Sequence, residues 1–101
     1  MPITGDRIPF TQKNVNNSPT ADGVYALYDG AVTIYIGKGD GINGIRARLQ
    51  AHFRGDEGKC TQGASHYRRE VCNNPLTRER ELLQEYKNAS GVLPRCNDVM
   101  P

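Results

Sequence analysis

A chain of 101 residues with 13 Lys and Arg against 11 Asp and Glu carries a formal net charge of +2. It has the size of one domain and buries roughly 60–70% of its unfolded surface on folding. That charge is too small to name a partner, and no apolar run approaches the ~20 residues of a membrane span, so no membrane association is expected. Met1-Pro2-Ile3-Thr4-Gly5-Asp6 lacks the charged region and apolar stretch of a signal peptide. Cys60, Cys72 and Cys96 are odd in number and widely spaced. Such spacing suits reduced thiols in a cytosol, and a cytoplasmic protein is expected. A zinc site joining these cysteines to His52 or His66 would lack any C-x-x-C or H-x-x-x-H pair.

Residues 1–22 read as a polar arm ahead of a domain at 23–101. Within the arm Thr11 is placed to cap one helical turn through Asn14 and Val15, which Pro19 stops. Two β-prone runs between Gly23 and Gly37 then flank Asp29-Gly30, a short-range hairpin signal. A two-residue loop of Asp29-Gly30 sets Tyr25 opposite Ile34 and sends Tyr25 and Tyr35 to opposite faces. A three-residue loop of Tyr28-Asp29-Gly30, with Gly30 left-handed, pairs Leu27 with Ala31. Tyr25, Leu27, Ala31, Thr33 and Tyr35 then share one face, and Val24, Ala26, Val32, Ile34 and Ile36 form an aliphatic one. This segregation favours the three-residue loop for a sheet that packs on one side.

The glycine-rich stretch Gly37-Lys38-Gly39-Asp40-Gly41-Ile42-Asn43-Gly44 does not match G-x-x-x-x-G-K-[ST] and reads as a strand-to-helix connection. A helix is expected from Gly44 or Ile45 to Arg54, ended by Gly55, with Ile45, Leu49 and Phe53 as its apolar stripe. Arg46, Gln50 and Arg54 fall on the watery side. Arg48 and His52 fall on or beside the stripe, where an unpaired charge is costly. Either this edge lines a polar pocket or Arg48 snorkels to water. After a polar loop at 55–63, Ala64–Val71 reads as a third strand, charged enough to be an exposed edge. The last helix opens with Asn74 as cap and Pro75 at its first position, runs to about Ala89 and ends at Gly91. Leu76, Leu83 and Tyr86 define its stripe. Glu79 sits on that stripe, whereas Glu81 and Glu85 sit on the polar side. An inward carboxylate requires a cationic partner, backbone donors or a metal ion; Arg48 is one candidate.

The inward-facing set is thus Tyr25, Tyr35, Arg48, His52 and Glu79. Here the sequence resembles the GIY-YIG endonuclease family. The first motif stands as Gly23-Val24-Tyr25, with Val in place of Ile, and the second as Tyr35-Ile36-Gly37, followed by Lys38. Arg48 and His52 match the downstream helix, Glu79-x-x-Leu82-Leu83 the family's glutamate and two aliphatics, and Pro94-Arg95-Cys96-Asn97 a terminal Pro-x-x-Asn. The resemblance spans about Gly23 to Asn97. It implies an α/β (α+β) domain with a three-stranded antiparallel sheet flanked by helices. It further implies hydrolysis of a DNA phosphodiester with one divalent metal, Mg²⁺ or Mn²⁺, held by Glu79. Tyr25, Tyr35, Lys38, Arg48 and His52 would be catalytic, with Tyr35 favoured as the base for the attacking water. Lys38, Arg48 and Asn97 would contact DNA. No second domain is seen to choose a site, so specificity is expected from a homodimer, a partner protein or DNA structure. The rival expectation is a nucleic-acid-binding module that uses the same basic pocket without turnover.

Overall fold

The computed structural model describes all 101 residues. In chain order the elements are β1 (Ile8–Pro9), α1 (Gln12–Asn16), β2 (Gly23–Asp29), β3 (Val32–Gly39), α2 (Gly44–Arg54), α3 (Lys59–Gln62), β4 (His66–Val71) and α4 (Pro75–Ser90). The strands make one antiparallel sheet in the order β1-β4-β2-β3. It has four strands where three were expected. The extra strand comes from the segment expected as a polar arm, where Ile8 pairs with Tyr67 and Pro9 with His66. Pro9 has no N–H to donate, which an outermost strand tolerates. β4 is consequently an internal strand, not an exposed edge. Beyond β1 its outer side is covered by Thr4, whose N–H donates to the Glu70 carboxylate, and by Gly5, whose carbonyl accepts from Arg68 Nε. Thr11 caps α1 as expected, its side chain accepting from Asn14 N–H.

The hairpin keeps Gly30 left-handed, at φ 60°, but its register differs from both loops considered. Asp29 pairs with Val32, so the loop is Gly30-Ala31. The register then slips: Tyr28 faces Thr33 whereas Leu27 faces Tyr35, leaving Ile34 as a bulged residue. The bulge does the work assigned to the turn. Tyr25 and Tyr35 do share a face, while Ala31 and Thr33 leave it for the opposite side, where they border Tyr28 and Ala26. Turn chemistry identifies a hairpin, but a bulge two residues further on carries no marker residue of its own.

Both faces of the sheet are packed, so the expectation of one-sided packing does not hold. On one face Tyr25, Leu27, Ile34 and Tyr67 meet Val15 of α1 and Ile45 and Leu49 of α2. On the other, Val24, Ala26, Tyr28 and Ile36 meet Leu82 and Leu83 of α4. β2 lies between both layers and is buried from Gly23 through Tyr28, which explains its unbroken apolar run. α4 is rotated relative to its expected stripe. Pro75, Glu79, Leu82 and Leu83 are buried, whereas Leu76 points outward at 40% exposure. Asn74 occupies the cap position without a side-chain bond, and Gly91 ends the helix at φ 81°. No helix is long and apolar enough to cross a membrane.

The cysteines correct another expectation. Cys60 of α3 and Cys96 of the tail form a disulfide, Cα atoms 5.7 Å apart, and only Cys72 is free. Their separation of 36 residues hid the pairing, because spacing alone does not tell which cysteines meet.

One ion pair ties three parts of the fold together. Arg78 of α4 grips Glu70 of β4 through Nε at 2.7 Å and Nη2 at 3.1 Å, and it also donates to the carbonyls of Met1 and Pro2. These bonds, led by the Arg78 hydrogen bond, hold Glu70 down at about 2. Because the folded-state value lies below the unfolded one, the stabilisation is present above pH ~4.5 and fades as pH falls toward 2. Glu70→Gln is therefore expected to cost roughly 1–3 kcal/mol at pH 7. Urea unfolding of both proteins across pH 2–7 should show the difference shrinking with acid; a constant difference would contradict the pairing.

Candidate active site

The site is built on two glycines that leave no room for a side chain. A Cβ on Gly37 would sit 2.6 Å from Tyr25 Oη and 2.7 Å from Tyr35 Cε2. Tyr25 lies directly across from Gly37 in the sheet, and both phenol rings lie over that glycine, stacked with centroids 6.1 Å apart. A Cβ on Gly23 would sit 2.2 Å from the Glu70 carbonyl and 2.6 Å from Ile45 Cδ1. The motif glycines are thus required by close approach, at Gly37 to the tyrosines and at Gly23 to β4 and α2.

α2 brings His52 beneath the phenols. Its Nε2 lies 2.7 Å from Tyr25 Oη and its Nδ1 2.7 Å from Thr61 Oγ1 of α3. Burial, aided by the Arg48 charge, pushes the imidazole down to about 4. The ring is neutral near pH 7, so it donates one of these bonds and accepts the other. Burial holds Tyr25 well above the usual phenol range, with the Tyr35 phenol adding to the effect and Arg48 opposing it. Burial raises Tyr35 too, again against the Arg48 charge. Tyr25 is fully buried, whereas Tyr35 is half-buried and open to the cleft.

Arg48 does not pair with Glu79. Its Nη1 contacts Glu57 Oε1 at 2.7 Å. Arg48 is half-exposed and lines the cleft, so its helix edge borders a polar pocket while its head also reaches solvent. Lys38 pairs with Asp40 at 2.9 Å. Glu79 is 8% exposed, and its carboxylate forms neither a hydrogen bond nor an ion pair within the chain. Burial raises it, with Lys38 opposing. Tyr25, Tyr35, Lys38, Asp40, Arg48 and Glu79 line one cleft of about 310 Å³. A second cavity of about 300 Å³ shares Tyr35 and Glu79 with it and extends to His52, Glu57 and Thr61.

Asn97, expected at the DNA interface, has its amide engaged elsewhere. Its Oδ1 accepts from Ile36 N–H and its Nδ2 donates to Ile36 C=O, each at 3.0 Å. With Cys96 N–H donating to Ile34 C=O, it fastens the tail along β3. Glu57, Thr61 and Asp40 were missed by sequence reasoning. All three lie outside the long elements, where no periodicity reports which way a side chain points.

No protein-family model matches the sequence, and no curated protein matches it. Solved structures do match, and the fold is that of a GIY-YIG endonuclease domain. One is the magnesium-bound GIY-YIG N-terminal endonuclease domain of UvrC from Thermotoga maritima, with a TM-score of 0.66 and 22% identity over 86% of this chain and 94% of that one. A point variant of that domain, bound to its catalytic divalent cation, matches at a TM-score of 0.67 and 20% identity over 87% and 94%.

The His52 environment is directly measurable. Its ring resonances should titrate with a midpoint near 4 rather than the ordinary 6.5 or so, followed by NMR from pH 7 downward. The unfolded chain binds the proton first, so this residue makes the fold less stable as pH drops from about 6.5 to 4. A midpoint between 6 and 7 would contradict the buried chain from Tyr25 through His52 to Thr61. Gly37→Ala should displace the stacked phenols and destabilise by about 1–3 kcal/mol by thermal unfolding; an unchanged midpoint would show that the rings are not confined as described.

Proposed function

We propose that this chain is a divalent-metal-dependent endonuclease that hydrolyses DNA phosphodiester bonds. One observation carries the reading. A buried glutamate with no protein partner opens on a cleft whose other walls are an arginine, a lysine and two phenols. Such a cleft suits a cation and a phosphate together.

The residues present fit a hydrated Mg²⁺ or Mn²⁺ ion. No group of three or more His, Cys, Asp or Glu forms a protein cage, and a hard ion held by a single carboxylate retains waters and takes phosphate oxygens. Glu79 would hold it. When bound, the ion supplies neutralisation of the charge that builds on the phosphate and the leaving 3′-oxygen. Arg48 clamps the non-bridging phosphate oxygens through parallel N–H donors, and Lys38 adds a second positive charge beside them. Tyr35, the phenol open to the cleft, orients the attacking water and, as a phenolate that has lost its own proton to solvent, takes the water's proton while the new P–O bond forms and the P–O3′ bond breaks, the 3′-oxygen being protonated from solvent. Burial opposes a phenolate, and the positive charge of Arg48 favours one. Tyr25 is kept in place by neutral His52, which Thr61 orients in turn. Asn97 acts by holding the tail and β3 in register rather than by touching DNA.

Plasmid nicking in Mg²⁺ and in EDTA tests the reading. The wild type is expected to nick only with the metal. Glu79→Gln should abolish nicking, whereas Glu81→Gln should retain it, because Glu81 is exposed and paired with Arg78. Arg48→Ala and Tyr35→Phe should fold yet lose about two orders of magnitude or more. Binding of DNA without nicking under any divalent ion would favour a non-catalytic binding module instead.

A further inference from the structure

We infer that Glu57 occupies the phosphate clamp in the absence of DNA, as an internal placeholder that the substrate must displace. The inference deepens the nuclease reading and rests on Arg48 being the phosphate ligand. Four observations lead to it. The Arg48–Glu57 bridge brings Nη1 to 2.7 Å from Oε1. A guanidinium can offer a phosphate two parallel bonds, so it can exchange this contact for a stronger one. Both side chains are partly open, at 39% and 33% exposure, so the pair is within reach of a ligand. Glu57 borders the same cavity as Tyr35, His52 and Glu79, which puts the carboxylate in the space beside the reactive groups rather than on a remote surface. Finally, it sits on a short loop between Gly55 at φ 86° and Gly58 at φ 100°, with open space around Gly58, and the chain is fixed again at Cys60 by the disulfide. The loop thus has two glycine pivots and a firm anchor close behind them.

Two consequences follow from charge. The Glu57 carboxylate keeps Arg48 partly neutralised. It also adds a negative charge to the cavity that Glu79 borders, which raises the barrier to a polyanion until Arg48 is released. Glu57 is therefore a positioning residue that sets DNA affinity through Arg48.

The test is fluorescence anisotropy with a short labelled duplex in EDTA at fixed low salt, so that no cleavage intervenes. It compares the wild type, Glu57→Gln, Arg48→Ala and the double variant. Asp56→Asn serves as a control that removes the same charge from the same loop, where Asp56 pairs with Arg54 instead. Glu57→Gln is expected to tighten binding about three- to fivefold, the size of a part-exposed ion pair. Asp56→Asn should change it less than twofold, and Glu57→Gln should have no effect in the Arg48→Ala background. Weaker binding by Glu57→Gln would make Glu57 a structural brace and overturn the inference. Equal tightening with and without Arg48, or by Asp56→Asn, would reduce the effect to net charge and overturn it as well. If Arg48→Ala binds as well as the wild type, or if the wild type does not bind the duplex, the phosphate-clamp reading itself fails.

Discussion

The site depends on one close approach: two phenol rings resting on the bare backbone of Gly37. That contact exists because Tyr25 faces Gly37 across the sheet, and it faces Gly37 because the bulge at Ile34 advances β3 by one residue. Without the bulge, the period-two alternation of the strands would carry Tyr35 to the face opposite Tyr25. With it, the two rings stack on each other and meet His52 edge-on or tilted. β2 and β3 also have to be packed on both sides. α2 delivers Arg48 and His52 from one layer, and α4 delivers Glu79 from the other. The cleft lies where both layers reach the same end of the hairpin.

The electrostatics of that cleft are unbalanced in an informative way. Most charged groups near it are matched: Arg48 with Glu57, Lys38 with Asp40. Burial holds His52 neutral and keeps both phenols protonated. Glu79 alone has no partner, although it is nearly buried. Burying a carboxylate is unfavourable, and here Lys38 and Arg48 offset that only through space, with no direct partner. Under the proposed function this carboxylate is where the cation binds, and the added positive charge would oppose the raised values of the phenols.

Much of this was legible in the sequence, because the residues concerned lie on long periodic elements. Helical spacing alone turned Glu79 inward and left Glu81 outside, and it placed Arg48 and His52 on one edge of α2. The helix ends at Gly55 and Gly91 were readable from residues that tolerate a left-handed turn. What escaped lies in short or irregular pieces. β1 is two residues long, too brief for any alternation to register. The hairpin register turned on a bulge at an ordinary isoleucine. Glu57 and Thr61 sit around a disulfide whose partners are distant in sequence, so the wall that they form exists only in three dimensions. The rotation that exposes Leu76 shows a related limit: a stripe read from apolar residues alone drifts when a proline and a glutamate share the buried face.

The central claim is that Glu79 is kept unpaired to receive one divalent cation. Titration of the protein with Mn²⁺, with free ion followed by EPR, tests it without reference to catalysis. The account predicts one ion bound per chain in the wild type and none at the same concentrations in Glu79→Gln. A wild type that binds no ion, or a Glu79→Gln variant that binds as well as the wild type, would contradict it.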